Sequence, residues 1–216
     1  MGRGSYLVAA LALALGCPAA AQDPAARAPA ATVCEFHVWP GDGLMSVMHG
    51  WFHGNIVNGA IQGRPGYPTI PPDPIDTATQ AQILAQLQPQ RLIGQADYRL
   101  IVHDAALPSR TIRTTPGRIA PSTSPCYDEL IVDDVVLQQD FVNGSLLKVL
   151  FHYRHFGPDA LPRRSYATWA ERRLGAFPPR DPAQLNASIA ELRNAYRQSL
   201  GIFAELARYG PHHRRR

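Results

Sequence analysis

The chain has 216 residues, 45% of them hydrophobic, and a formal net charge of +4. That is long enough for one domain with a sizeable core. The charge does not mark a nucleic-acid protein: Arg3 and the terminal Arg214, Arg215 and Arg216 account for it, whereas a nucleic-acid binder carries a basic face through its fold.

The N-terminus reads as a secretory signal. Arg3 supplies the positive region, and Tyr6 to Gly16 is an uninterrupted apolar run. Such a run is too short for the roughly 20 residues that cross a bilayer core. Pro18 breaks it, and Ala19-Ala20-Ala21 forms an A-x-A cleavage site. Residues 1–21 are thus expected to be removed, with release to the periplasm or exterior. Lipidation at Cys17 on an outer-membrane lipoprotein is the less favoured route, because Leu15 stands one place too late and Pro18 follows directly. No later segment approaches 18 apolar residues, so no transmembrane helix is expected in the mature chain. Arginine is the basic residue almost throughout, with Lys148 the only lysine, as in a GC-rich bacterial genome.

Cleavage leaves Cys34 and Cys126. An even pair in an oxidising compartment reads as a disulfide. Residues 22–32 are Ala/Pro-rich without apolar period and are expected to be a disordered lead-in. Residues 33–39 alternate as a strand, with Cys34, Phe36 and Val38 on one face and Glu35, His37 and Trp39 on the other. Pro40-Gly41-Asp42-Gly43 ends it. Leu44, Val47, Met48, Trp51 and Phe52 then recur at helical spacing, although Gly50 and Gly54 weaken a helix. Residues 63–76 hold five prolines and read as an extended linker.

Thr77 and Gln80 form a capping box that opens a short helix carrying Ile83, Leu84 and Leu87, stopped near Pro89. A second strand is expected near 97–103, and a long loop over 107–125. Residues 127–141 and 146–156 are β-rich on either side of Asn143-Gly144, the strongest short hairpin signal. A type I′ turn there would pair Val142 with Ser145, Asp133 with Arg154 and Val136 with Phe151. Residues 157–180 are Pro/Arg-rich, with a short helix expected around Thr168–Glu171. Asp181, Pro182 and Gln184 open a closing helix whose stripe is Leu185, Ile189, Leu192, Tyr196, Leu200 and Phe203. Gly210-Pro211 ends it, and residues 209–216 form a basic tail.

The fold expected is therefore α+β. A small mixed sheet has strands near 33–39, 97–103, 127–141 and 146–156. Helices pack on one face, the long C-terminal one included, in a single domain over 33–208.

The spacing Cys34-x2-His37-x11-His49-x3-His53 resembles a zinc pattern. On a strand, however, Cys34 and His37 point to opposite faces. His49 and His53 could share one helix face, and the plainer reading is an exposed polar face. Asp128/Glu129 and Asp133/Asp134 are doublets on a strand, so neither converges on one reacting bond. Ser145 lacks a G-x-S-x-G elbow, and no phosphate loop or H-E-x-x-H run is present. No catalytic residue, metal ligand or cofactor is assigned. Arg110, Arg113 and Arg118 lie in a loop free of acidic residues and are candidate contacts for an anionic envelope component.

In layout, residues 34–39, 96–103 and the 127–156 hairpin with its closing helix resemble the small α/β domain of the curli-secretion lipoprotein. They also resemble the amino-terminal domain of the Tol-system propeller protein. The resemblance implies an assembly or interaction module and carries over no catalytic residue. The segment CEFHVWPGDGL also resembles uncharacterised exported bacterial proteins. The preferred reading is a non-catalytic periplasmic or envelope-associated accessory that binds an envelope protein or anionic component, with no nucleic acid involved. The alternative is an exported hydrolase or metal-dependent enzyme using His37, His49 and His53.

Overall fold

A computed structural model describes residues 33–49, 55–57, 74–140 and 144–210. The seven strands in it are β1 (Glu35–Trp39), β2 (Met45–His49), β3 (Asn55–Val57), β4 (Arg99–Val102), β5 (Tyr127–Asp140), β6 (Gly144–Phe156) and β7 (Pro162–Leu174). The helices are α1 (Thr77–Leu87), α2 (Pro89–Ile93), α3 (Ser109–Thr114) and α4 (Leu185–Tyr209), the last preceded by a 3-10 turn at Pro182–Gln184. This is the mixed α+β sheet with a long closing helix that the sequence pattern implies. The signal segment, the lead-in, His53 and the Asn143 turn lie outside the described residues.

The sheet is organised by β5. On one edge β6 pairs with it antiparallel along its whole length, and β7 continues that meander. The other edge is shared. β1 runs parallel to Tyr127–Ile131 and carries β4 beyond it, while β2 runs parallel to Val136–Asp140 and carries β3. The first pairing sets Cys34 beside Cys126 just before the two strands begin. They form a disulfide across a Cα–Cα distance of 4.8 Å, and Glu35 N–H bonds the Cys126 carbonyl at 3.0 Å.

Four local expectations are corrected, the last of them at the cap of α1. Residues 45–49 form a strand rather than part of a helix, and residues 55–57 add a short strand beside it. Their apolar residues suit a helical period, but the parallel edge of β5 offers backbone partners that a helix containing Gly50 and Gly54 would lack. Residues 162–174 form a full strand, with no short helix around Thr168. Tyr166, Thr168 and Trp169 favour a pleated surface, and β6 supplies the ladder. The hairpin register also differs from the type I′ expectation. Asp140 faces Gly144, Leu137 faces Leu147, and beyond a bulge between Val132 and Asp134, Val132 faces Phe151. Arg154 stands opposite Glu129, not Asp133.

The bulge explains the side-chain pattern. Before it, Leu130 and Val132 face the helices; after it, Val135 and Leu137 do, so the parity changes at the Asp133-Asp134 doublet. One inserted residue lets a single strand keep an apolar face across two different parallel neighbours. With Phe36, Val38, Leu147, Val149, Phe151 and Tyr153 this face is covered by α1, α2 and α4. From α4, Leu192, Tyr196, Leu200 and Phe203 are buried as the stripe predicts, while Leu185 stays exposed.

Helix α1 is capped one residue earlier than expected. Asp76 accepts from Thr79 N–H at 2.7 Å. Gln80 is buried instead: its Oε1 accepts from Gly41 N–H at 2.9 Å and from the Tyr196 hydroxyl at 3.2 Å, and its Nε2 donates to the Ile75 carbonyl. Gly41 is where the chain crosses the bulge between β1 and β2. A Cβ there would lie 3.1 Å from Val132 and from Gln80 Oε1, so the Pro-Gly-Asp-Gly turn reflects close approach as well as turn chemistry.

Candidate functional site

The face of the sheet opposite the helices divides into two parts. Along β1, β4 and the first half of β5, it is covered by the 104–125 segment, which contains α3. A second core forms there from Trp39, Ile112, Ala120, Tyr127, Ile131 and Phe156.

A polar cluster is built into this covered part. The side chain of Glu129, fully buried, accepts from the Tyr127 hydroxyl at 2.8 Å, Ile119 N–H at 2.6 Å and Arg154 Nε at 2.6 Å. Arg154 also ion-pairs Glu129 through Nη2 and donates from Nη1 to the Thr115 carbonyl. Arg118 donates to the carbonyls of Ser122, Ser124 and Gly157, with its guanidinium 4.9 Å from the Tyr127 ring centre. Burial beside Glu129 pushes the Tyr127 phenol well above its usual range.

Beside it runs a ring ladder. Trp39 and His103 stack at 4.1 Å with planes 3° apart, and His37 lies between His103 and Tyr127. His37 Nδ1 and His103 Nε2 are 2.9 Å apart, one donating and the other accepting. Burial lowers the pKa of both rings, which keeps them neutral and allows that bond. Glu35 accepts from Ser122 Oγ at 2.5 Å and from Arg99 at 2.5 Å, and its Oε2 lies 3.3 Å from His37 Nε2. The Ser122 hydrogen bond is foremost in holding the Glu35 carboxyl below its ordinary value.

The order of these groups bears on chemistry. In an activated serine the imidazole touches the hydroxyl and the acid orients the imidazole. Here the carboxylate sits between Ser122 and His37, so the serine bonds the acid. Nor do His37 and His49 converge. They pair with Glu129 and Asp140 of β5, so their backbones are roughly 30 Å or more apart at the usual strand rise. Asp128 and Glu129 turn to opposite faces. Asp128 lies on the helix side, bonded by the Tyr153 hydroxyl at 2.6 Å and by His155 Nδ1 at 2.7 Å. Burial raises its pKa despite those bonds.

Of the loop arginines, Arg110 and Arg113 are exposed on α3, whereas Arg118 is committed to three carbonyls. Sequence reasoning missed Glu129, Arg154, Ser122 and His103 as partners. One signal was present: the apolar alternation of β5 changes parity at Asp133-Asp134, which marks the bulge. That shifts the register by one residue only, and the ladder closing at Asp140 and Gly144 supplies the rest of the move of Arg154 from Asp133 to Glu129.

The second half of the outer face is different. Between β1 and β2 no strand among the described residues borders β5 at 132–135, and a cleft of about 480 Å³ opens there. Asp42, Asp133, Asp134, Ser109, Leu107 and Met45 are among its lining. Asp133 accepts from Ser109 Oγ at 2.5 Å and lies 3.2 Å from His152. Burial foremost, then Asp133, raise the pKa of Asp134. Beyond the cleft the face continues through Val136, Leu146, Lys148, Leu150 and Trp169. Met45 is 45% and Trp169 39% exposed, and Lys148 ion-pairs Glu171 and lies 5.7 Å from the Trp169 ring centre. No element among the described residues covers this part.

No family model and no curated protein matches this sequence. Among solved structures, one similar chain is a Xanthomonas campestris protein of the DUF330 family, at 8% identity and a TM-score of 0.38, covering 79% of this chain and 81% of that one. Another is an uncharacterized protein at 12% identity and a TM-score of 0.33, covering 80% of this chain and 88% of that one. These matches do not show the layout resemblance to the curli and Tol domains. No helix among the described residues is long and apolar enough to cross a membrane.

Proposed function

We propose that this chain is an exported, non-catalytic accessory protein of a bacterial cell envelope that binds a protein partner through the open outer face of the β5–β6–β7 meander. The observation that carries the reading is that face itself. Met45 and Trp169 are exposed, and Val136 and Leu150 half-buried, on one side of a long sheet whose other side carries the main core. Exposed apolar area of this kind, rimmed by Lys148, Glu171 and Asp134, is the ordinary composition of a protein interface. Export is supported by the signal-like N-terminus and by the Cys34–Cys126 disulfide, which is favoured in oxidising compartments. The buried polar clusters hold the fold: their carboxylates are tied to Arg154, Tyr153, His155 and Ser122, in an order that activates no nucleophile.

A photo-crosslinking side chain placed at Leu150 in living cells tests the binding role. One discrete protein adduct is expected, lost when Trp169 is changed to glutamate while the melting temperature stays unchanged. A crosslinker at Leu150 that gives no discrete adduct would overturn the binding role. Mass spectrometry of the native product tests export, with Gln22 as the expected first residue; a diacylglyceryl group on Cys17 would instead place the protein on the outer membrane.

A further inference from the structure

Among the described residues the meander ends in an open edge. Among them β7 pairs only with β6 and is 13 residues long, whereas the other free edges, β3 and β4, have three and four residues. Every second residue of such a strand turns its N–H and C=O away from its neighbour. The charges on β7 sit at its ends. Arg163 and Arg164 open it, Glu171, Arg172 and Arg173 close it, and Ser165–Ala170 between them is uncharged. Tyr166 packs on Phe203 of α4, while Ala167 and Trp169 are exposed on the outer face.

We propose that β7 accepts an eighth strand from a partner protein: an extended segment with an uncharged, β-prone centre of about seven residues, opposite Ser165–Glu171, bounded on both sides by Asp or Glu that meet Arg163–Arg164 and Arg172–Arg173. This rests on the binding role of the outer face and adds the chemistry of the partner. The charge pattern selects among occupants. A second copy pairing antiparallel about Thr168 would set Arg163 opposite Arg173 and Arg164 opposite Arg172, and like charges directly opposite destabilise a pair. Arg163 already holds an exposed ion pair with Asp159 and Arg164 donates to the Ala207 carbonyl, yet the arginines leave both ends of β7 net positive, and these ends attract a strand with acidic flanks. Main-chain hydrogen bonds would supply most of the affinity, and the charges would set register and exclude other strands.

The test uses the full oxidised chain and a labelled peptide, Glu-Glu-Thr-Val-Thr-Val-Thr-Val-Thr-Glu-Glu. Saturable binding is expected, with slowed amide exchange confined to β7 and the adjoining outer face. A peptide N-methylated at alternate residues along either edge keeps every charge, and methylation of the bonding edge should abolish binding. Arg163→Glu with Arg172→Glu should weaken binding by roughly tenfold or more. No saturable binding up to about 1 mM overturns the proposal, and so does equal binding by both methylated forms, which would mean charge attraction alone. Exchange protection of β7 that rises with protein concentration and needs no peptide would assign the edge to a second copy and also overturn it. Binding to phosphatidylglycerol vesicles without binding to the peptide would assign the arginines to lipid and would likewise overturn strand addition. If the peptide fails while the Leu150 adduct persists, the binding role stands and strand addition alone falls.

Discussion

The two halves of the outer sheet face share strands β5 and β6 but are finished differently. At the β1–β4 end the face is closed by the 104–125 segment, tied by the Cys34–Cys126 disulfide and filled by Glu129, Arg154, Tyr127 and the Trp39–His103–His37 ladder. At the β2–β7 end the same strands leave Met45, Leu150 and Trp169 without a cover among the described residues. Both halves rest on one apolar floor, so the contrast lies in what is laid on top. One half holds the fold together, and the other presents it.

The largest expected effect breaks the closed half at its tie. The disulfide spans a sequence separation of 92. In the chain-entropy model a loop of that size contributes about 4.5 kcal/mol. Cys34→Ser with Cys126→Ser should therefore lower the urea midpoint sharply, and reduction of the native protein should match it. A midpoint unchanged by both would show that the β1–β5 register holds without the bridge.

Next comes the buried pair. Arg154→Met leaves Glu129 buried with its cation removed, and stranding a buried charge costs about 3 kcal/mol or more. Adding Glu129→Gln should restore part of that loss, because a neutral amide tolerates burial better. Equal losses in the single and double variants, measured by denaturant titration, would locate the cost in packing rather than charge.

A smaller effect is expected from acid. His37 and His103 have pKa values lowered in the folded state, chiefly by burial. The unfolded chain therefore takes up protons first as pH falls below about 6.5, and stability is lost on acidification through that window. Asp128 acts in the opposite sense. Its raised pKa means that protonation at lower pH favours the folded form. Glu35, held low, adds a loss only below the ordinary carboxylate range. His103→Gln should flatten the slope of melting temperature between about pH 7 and pH 5.5. An unchanged slope would remove the neutral ring pair from the account of acid sensitivity.

How much of this is legible in the sequence follows from the range of each signal. The disulfide, the closing helix and the β5–β6 pairing are legible because each rests on local chemistry or on a single pair of cysteines. Strands β2 and β7 are not. Leu44, Val47, Met48 and Trp51 suit a helical period equally well, and only the parallel edge of Val136–Asp140 decides the matter. The register is hidden for a subtler reason. Asn143-Gly144 suggests a two-residue turn, yet the ladder closes at Asp140 and Gly144. The Asp133 bulge then changes parity halfway along, so no single offset describes the hairpin. Glu129 and Arg154 come together only once that offset is known. A two-residue turn would put Val135 and Leu137 on one face with Ile131, Leu150 and Lys148, a mixture too apolar for wholly solvated sheet, but the bulge turns Val135 and Leu137 to the helices. The 104–125 segment covers Ile131, and Leu150 remains outside it.

The smallest expected effect sharpens the contrast between the halves. Trp169 is 39% exposed, faces Leu150 across the β6–β7 ladder and has Lys148 near its ring. Its counterpart in the closed half, Trp39, is 4% exposed and stacks on His103. If the open half serves binding rather than folding, Trp169→Ser should change stability by no more than about 0.5 kcal/mol, the usual range for surface sites. Trp39→Ser should cost on the order of 3 kcal/mol, as large-to-small changes in a core do. The two tryptophans lie on the same side of the same sheet, so β-propensity and face are nearly matched and the difference isolates the cover. Denaturant titration of the two variants measures it directly. A loss of about 2 kcal/mol or more at Trp169, the scale of core truncation, would mean that something covers the open half in the isolated chain, and the binding surface would have to be sought elsewhere.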